Sequence, residues 1–129
     1  MSATASGWTL FRWLPTNDMD ADVHPESLAA LSAAWSLARI YRVAGRDDGY
    51  VTLAAGPLVV RVRPSHLLRP VRAPRFDYGA AVTTTITSRH AGTVVEIAWH
   101  DKRAEPMFFI EVDGKRRSRR YFEDELAPI

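Results

Sequence analysis

From Pro74 to Leu126 the sequence is a succession of short β-forming runs cut by glycine turns. Pro74-Arg75-Phe76-Asp77-Tyr78-Gly79 leads into a Val/Thr/Ile run. Gly92 to His100 and Met107 to Val112 follow, then an Asp113-Gly114 turn, and the aromatic-acidic segment Arg119 to Leu126 closes the series. Such a pattern leaves few options. Alternating side chains must bury one face, and turns this close together lay consecutive strands side by side. The alternation predicts Val82, Thr84 and Ile86 on one face and Val95, Ile97 and Trp99 on another, with Val94, Glu96 and Ala98 pointing away. It also sets Phe108, Ile110 and Val112 against Phe109 and Glu111.

The first half reads as the same material with a helix added. Trp8 to Leu14 forms a strand that Pro15 terminates, and Thr16 to Val23 an acidic loop. His24-Pro25-Glu26-Ser27 opens a short helix whose apolar face is Leu28, Ala29, Leu31, Ser32 and Trp35, ending between Ala34 and Leu37. A three-stranded meander follows: a strand from Ile40, a turn over Gly45 to Gly49, Tyr50 to Leu53, a turn over Ala55 to Pro57, and Leu58 to Arg63. Pro64 to Leu68 makes one helical turn, and Pro70 to Pro74 a stiff connector. The fold class expected is therefore mainly β: a β meander with one short N-terminal helix over residues 1–72, then an SH3-like small barrel over residues 73–129, packed as one compact body.

Two SH3-like units in tandem are the alternative. Shifting the chain by 58 positions sets Arg61, Leu68, Pro70 and Val71 opposite Arg119, Leu126, Pro128 and Ile129, with Gly56 opposite Gly114 and Tyr50 opposite Phe108. Both halves then end as strand, glycine turn, basic strand, helical turn and Leu-x-Pro-Val/Ile.

At 129 residues the chain buries enough surface to fold without a metal or disulfide. It has no cysteine, which excludes disulfides, thiolate metal sites and thiol nucleophiles together and favours a reducing, cytoplasmic setting. Its start carries aromatics and aspartates rather than a basic and then apolar leader, and no run approaches a membrane span. The net charge is only +2 but unevenly spread. Arg61, Arg63, Arg69, Arg72 and Arg75 form a stretch without a carboxylate, and Lys115, Arg116, Arg117, Arg119 and Arg120 form a second cluster.

No reaction is legible. Trp99-His100-Asp101 invites a general base, yet adjacent strand residues face opposite sides, so a buried Trp99 beside an exposed, partner-contacting His100 is the expected geometry. His24, His66, His90 and His100 show no metal-ligand spacing, so neither metal nor cofactor is expected. No serine sits in a nucleophile elbow, and no glycine-rich phosphate loop occurs. The run Glu123-Asp124-Glu125 reads as part of a surface ion network with the neighbouring arginines. An aromatic cage from Trp99, Phe108, Phe109 and Tyr121 fails because alternation separates Phe108 from Phe109. What stands out is arginine interleaved with Phe76, Tyr78, Tyr121 and Phe122. The candidate binding residues are Arg61, Arg63, His100, Arg119, Arg120 and Tyr121.

Taken together, Trp8-Thr9-Leu10, His24-Pro25-Glu26, Arg61-Val62-Arg63-Pro64, Gly92-x-Val94-x-x-Ile97-x-Trp99-His100 and Val112-Asp113-Gly114-Lys115-x-x-Ser118-x-Arg120-Tyr121 resemble an uncharacterised bacterial family of stand-alone proteins carried as a domain of unknown function. The resemblance covers nearly the whole chain and implies an architecture, not an activity. The function expected is non-enzymatic: a small β-barrel module recognising another protein, as an adaptor or a toxin-neutralising partner. A nucleic-acid-binding barrel using the arginine and aromatic face is the alternative, and no membrane role is expected.

Overall fold

The computed structural model describes residues 7–15, 21–86 and 89–129. It divides into two compact units, Met1–Ala73 and Pro74–Ile129. The protein is mainly β, with two antiparallel sheets and one short helix.

In the first unit β1 (Trp8–Phe11), β2 (Ile40–Asp47), β3 (Tyr50–Ala55), β4 (Leu58–Val62) and β5 (Leu68–Val71) form a sheet in the order β4-β3-β2-β1-β5. Its core is Leu10, Phe11, Trp13, Ile40, Tyr41, Val51, Leu53, Val60 and Val62, all nearly inaccessible. The long connection from β1 to β2 carries a 3₁₀ turn (Pro25–Ser27) running into α1 (Leu28–Ala33). Only Leu31 of α1 is buried, and Trp35 lies beyond the helix, largely exposed, with its indole N–H donated to the Trp13 carbonyl. The acidic loop expected over Thr16 to Val23 lies outside the described residues as far as Asp20. Val23 itself bridges to Val62 and covers part of the β4 edge.

Several expected boundaries shift, among them the end of β1, which stops at Phe11 rather than Leu14. The five-residue turn after Val43 is a two-residue hairpin, because Asp48 and Gly49 both adopt positive φ and let β2 run on to Asp47. Pro70 belongs to β5 rather than to a connector. It is tolerated because β5 is an edge strand, where the missing N–H costs no ladder bond.

The second unit contains β6 (Ala81–Thr84), β7 (Ala91–His100), β8 (Glu105–Val112), β9 (Lys115–Arg116), β10 (Tyr121–Phe122) and β11 (Leu126–Pro128). The order is β10-β8-β7-β6-β11, with β9 also on β8. A 3₁₀ turn, Glu123–Glu125, separates β10 from β11. The sheet does not close: among the described residues its edge strands, β10 and β11, are not paired with each other, so the barrel expected here is an open sheet. Val94, Ile97, Phe108, Ile110 and Leu126 form its core.

One expectation for β7 is corrected by a β-bulge. The register slips between Val94 and Glu96, so Val94 joins Ile97 and Trp99 on the buried face and Val95 becomes the extra, half-exposed residue. Tyr78 supports this region. Its hydroxyl accepts from the Ile97 N–H at 3.3 Å and donates to the Ile97 carbonyl at 3.2 Å, while Gly79 and Ala80 bond Val94. β6 spans only Ala81 to Thr84, so Ile86 falls beyond it.

The two units share a strand order. In each, the first strand lies between the second and the last, and the last is reached through a turn after the fourth position. The Leu-x-Pro segments noted in the sequence are these final strands: Leu68 to Val71 pair with β1 and Leu126 to Pro128 with β6. Gly56 and Gly114 are not equivalent, however. Gly56 is the first of two turn residues, whereas Gly114 is the second, after Asp113.

Gly92 is fixed by close approach. A Cβ there would lie 2.7 Å from the Glu111 carbonyl oxygen and 3.1 Å from Val112 Cγ2. Backbone cannot yield as a side chain can, so Gly92→Ala is expected to destabilise the second unit by roughly 1–3 kcal/mol. Chemical denaturation of the variant checks this, and an unchanged midpoint would contradict it.

Candidate functional site

Each unit gathers arginines onto an aromatic ring on the outer face of its sheet. Tyr50 opens β3, and Thr52 and Ala54 share its face, because Val51, Leu53 and Ala55 alternate into the core. Arg61 pairs with Thr52 in register and lies on the same side. The Arg61 and Arg63 guanidinium carbons sit 5.0 and 4.8 Å from the Tyr50 ring centroid. Arg63 donates to the Tyr50 hydroxyl at 3.2 Å, and Arg61 to the Asp47 carbonyl at 3.3 Å. The His24 ring meets Tyr50 edge-on, 4.7 Å between centroids. Its Nδ1 accepts from the Glu26 N–H at 3.1 Å, which leaves the ring proton on Nε2 as a donor.

The second unit repeats the assembly around Phe122. Arg103 lies 3.8 Å and Arg120 5.5 Å from its centroid, and His100 meets it edge-on at 5.5 Å. His100 Nδ1 accepts from the Arg103 N–H, again leaving Nε2 as a donor. A turn-capping imidazole of this kind is occupied structurally, which weakens its reading as a general base. The difference from the first unit is charge: Arg103 is paired with Glu105 at 3.0 Å.

Around Phe122 the outer face of β7, β8 and β10 is amphipathic. Register places Ala98, Met107 and Phe122 in one row and Glu96 beside Phe109 in the next. Met107 and Phe109 are half-exposed. Arg116 covers the Phe109 ring at 4.8 Å while pairing with Glu96 at 2.8 Å. Arg117 and Arg120 have no acidic partner among the described residues.

The candidate residues from the sequence thus separate. Arg61 and Arg63 come together at Tyr50, and His100 and Arg120 at Phe122. Arg119 and Tyr121 form a third contact: Tyr121 is buried opposite Phe108, with Arg119 over its ring at 5.1 Å and 3.6 Å from Glu125. The acidic run mostly caps backbone. Glu123 accepts from the Arg75 N–H and Glu125 from the Phe122 N–H. Phe76 is a core residue against Phe108. Sequence reasoning missed His24, Tyr50, Arg103 and Phe109. Tyr50, across the short β3–β4 hairpin from the candidate pair Arg61 and Arg63, was in reach of a register argument. Arg103 was not, because it depends on the turn geometry after β7.

Among the described residues no group of His, Asp or Glu is placed to hold a metal, and no helix is long and apolar enough to cross a membrane. What the units define is a small open-sheet β protein with basic, ring-backed surfaces. The chain belongs to DUF6960, a family of unknown function, the match spanning residues 1–127. No curated protein and no solved structure matches it.

Proposed function

We propose that the chain is a non-enzymatic recognition module that binds a partner protein through the outer face of β7, β8 and β10. Its two units are read as open SH3-like sheets, since each returns its last strand to its first after a short turn. The observation that carries the reading is the half-exposed Phe109 and Met107 row, framed by Arg103, Arg116 and Arg120 and interrupted by Glu96 and Glu105. An apolar centre with a mixed-charge rim suits a protein surface. Arg120, with no acidic partner among the described residues, asks for a carboxylate on the partner's contacting segment.

Nucleic acid fits this face less well. Glu96 and Glu105 would meet phosphates, and the Phe122 ring, only 7% exposed and flanked by two guanidinium groups, offers no open face for a base to stack on. The test is photo-crosslinking from position 109 in the native cell, followed by rebinding of the captured protein in purified form. Phe109→Ala is expected to weaken that binding about tenfold or more. Capture of nucleic acid alone, or undiminished affinity in the variant, would overturn the reading.

A further inference from the structure

The Tyr50 cluster in the first unit has a feature that the Phe122 face lacks. Two guanidinium groups are held on one ring with no carboxylate against either among the described residues. Their distances to the ring keep them within roughly 10 Å of each other, so they repel, while each gains only a modest attraction to the ring. Each guanidinium carries five N–H donors and uses one, on a neutral oxygen. The His24 Nε2–H adds a third donor group beside the same ring. Backbone geometry fixes the site from below: the Arg61 N–H donates to Ser27 Oγ, and the His24 N–H to the Arg61 carbonyl, tying the turn that carries His24 to β4.

From this arrangement we infer that Arg61, Arg63 and His24, assembled on Tyr50, form a binding site for the phosphate monoester dianion. Two positive charges with no carboxylate partner among the described residues match its charge of nearly two, and three donor groups match its three terminal oxygens. A carboxylate, with one charge and two oxygens, would leave one arginine unsatisfied. A phosphodiester carries a single charge per group and is held by a run of cations spaced along its backbone, whereas the two arginines here are gathered on one ring. The Phe122 counterpart, with Arg103 neutralised by Glu105, serves as the internal contrast and binds the same anion more weakly. The inference stands apart from the partner surface of the second unit.

The test is an amide chemical-shift titration of the full chain with inorganic phosphate, a phosphotyrosine peptide, the same peptide unphosphorylated or with glutamate at that position, and a short DNA duplex. Phosphate and the phosphopeptide should saturate shifts at Tyr50, Arg61 and Arg63, with the phosphopeptide at least about tenfold tighter than either control peptide. Arg61→Gln with Arg63→Gln should abolish these shifts. Arg63→Lys, which keeps the charge but loses the fork, should weaken binding several-fold with the melting temperature unchanged. If phosphate binds as tightly as the phosphopeptide, the source is a small phosphorylated molecule; if the peptide is far tighter, it is a modified protein. Equal binding of the glutamate peptide, tighter binding of duplex DNA, or no saturable shift would overturn the inference. Loss of the Phe109 partner interaction would leave it intact.

Discussion

A chain lacking its first fourteen residues is expected to lose the structure of the first unit. β1 lies between β2 and β5 and pairs with both, so its removal strips two strands of a partner in one step. It also removes Leu10, Phe11 and Trp13, none more than 2% exposed. Each such side chain contributes roughly 2–5 kcal/mol on truncation, and a domain has only about 5–15 kcal/mol in total, so the loss exceeds what the unit can absorb. The Arg12 N–H, which bonds the Leu67 carbonyl, goes as well and frees the turn before β5. Amide spectra should show collapsed dispersion for residues 40–71 and aggregation on concentration. A truncated chain with native dispersion there would show that β1 is peripheral.

Trp99→Ala in the second unit should cost about 3–5 kcal/mol, because it empties the space of a large, buried ring opposite Pro106. Trp99→Phe separates two contributions. The Trp99 indole N–H is buried with no hydrogen-bond partner among the described residues, so a ring that lacks it gives up packing volume but relieves an unpaired donor. The phenylalanine variant is therefore expected to lose less than half of what the alanine variant loses. Denaturant midpoints for the pair check this. Equal losses would mean that the indole N–H is satisfied, for instance by water.

The β content, the buried Trp99 and the opposite placement of Phe108 and Phe109 were legible because alternation alone fixes them. The Leu-x-Pro repeat marked a real correspondence, the final strand of each unit, although its meaning as a strand was hidden by proline, which reads as a breaker unless the strand is known to lie at an edge. Val94 and Val95 were exchanged because a bulge inserts one residue, and nothing in Val-Val-Glu says which of the two valines will be extra. Closure of the barrel was not legible either, since it depends on whether β10 and β11 meet, a non-local property. For the site, the arginines stood out by composition. The rings they cover depended on register, which paired Arg61 with Thr52 beside Tyr50 and set Phe122 opposite Met107.

The outer face of β7, β8 and β10 is the proposed seat of a protein partner. Hydrogen–deuterium exchange of the full chain, with and without the purified partner, tests it most directly. Protection is predicted along β8 from Met107 to Phe109, with neighbouring protection at Arg120 to Phe122. Protection confined to other segments, with that face exchanging as fast as in the free chain, would contradict the claim.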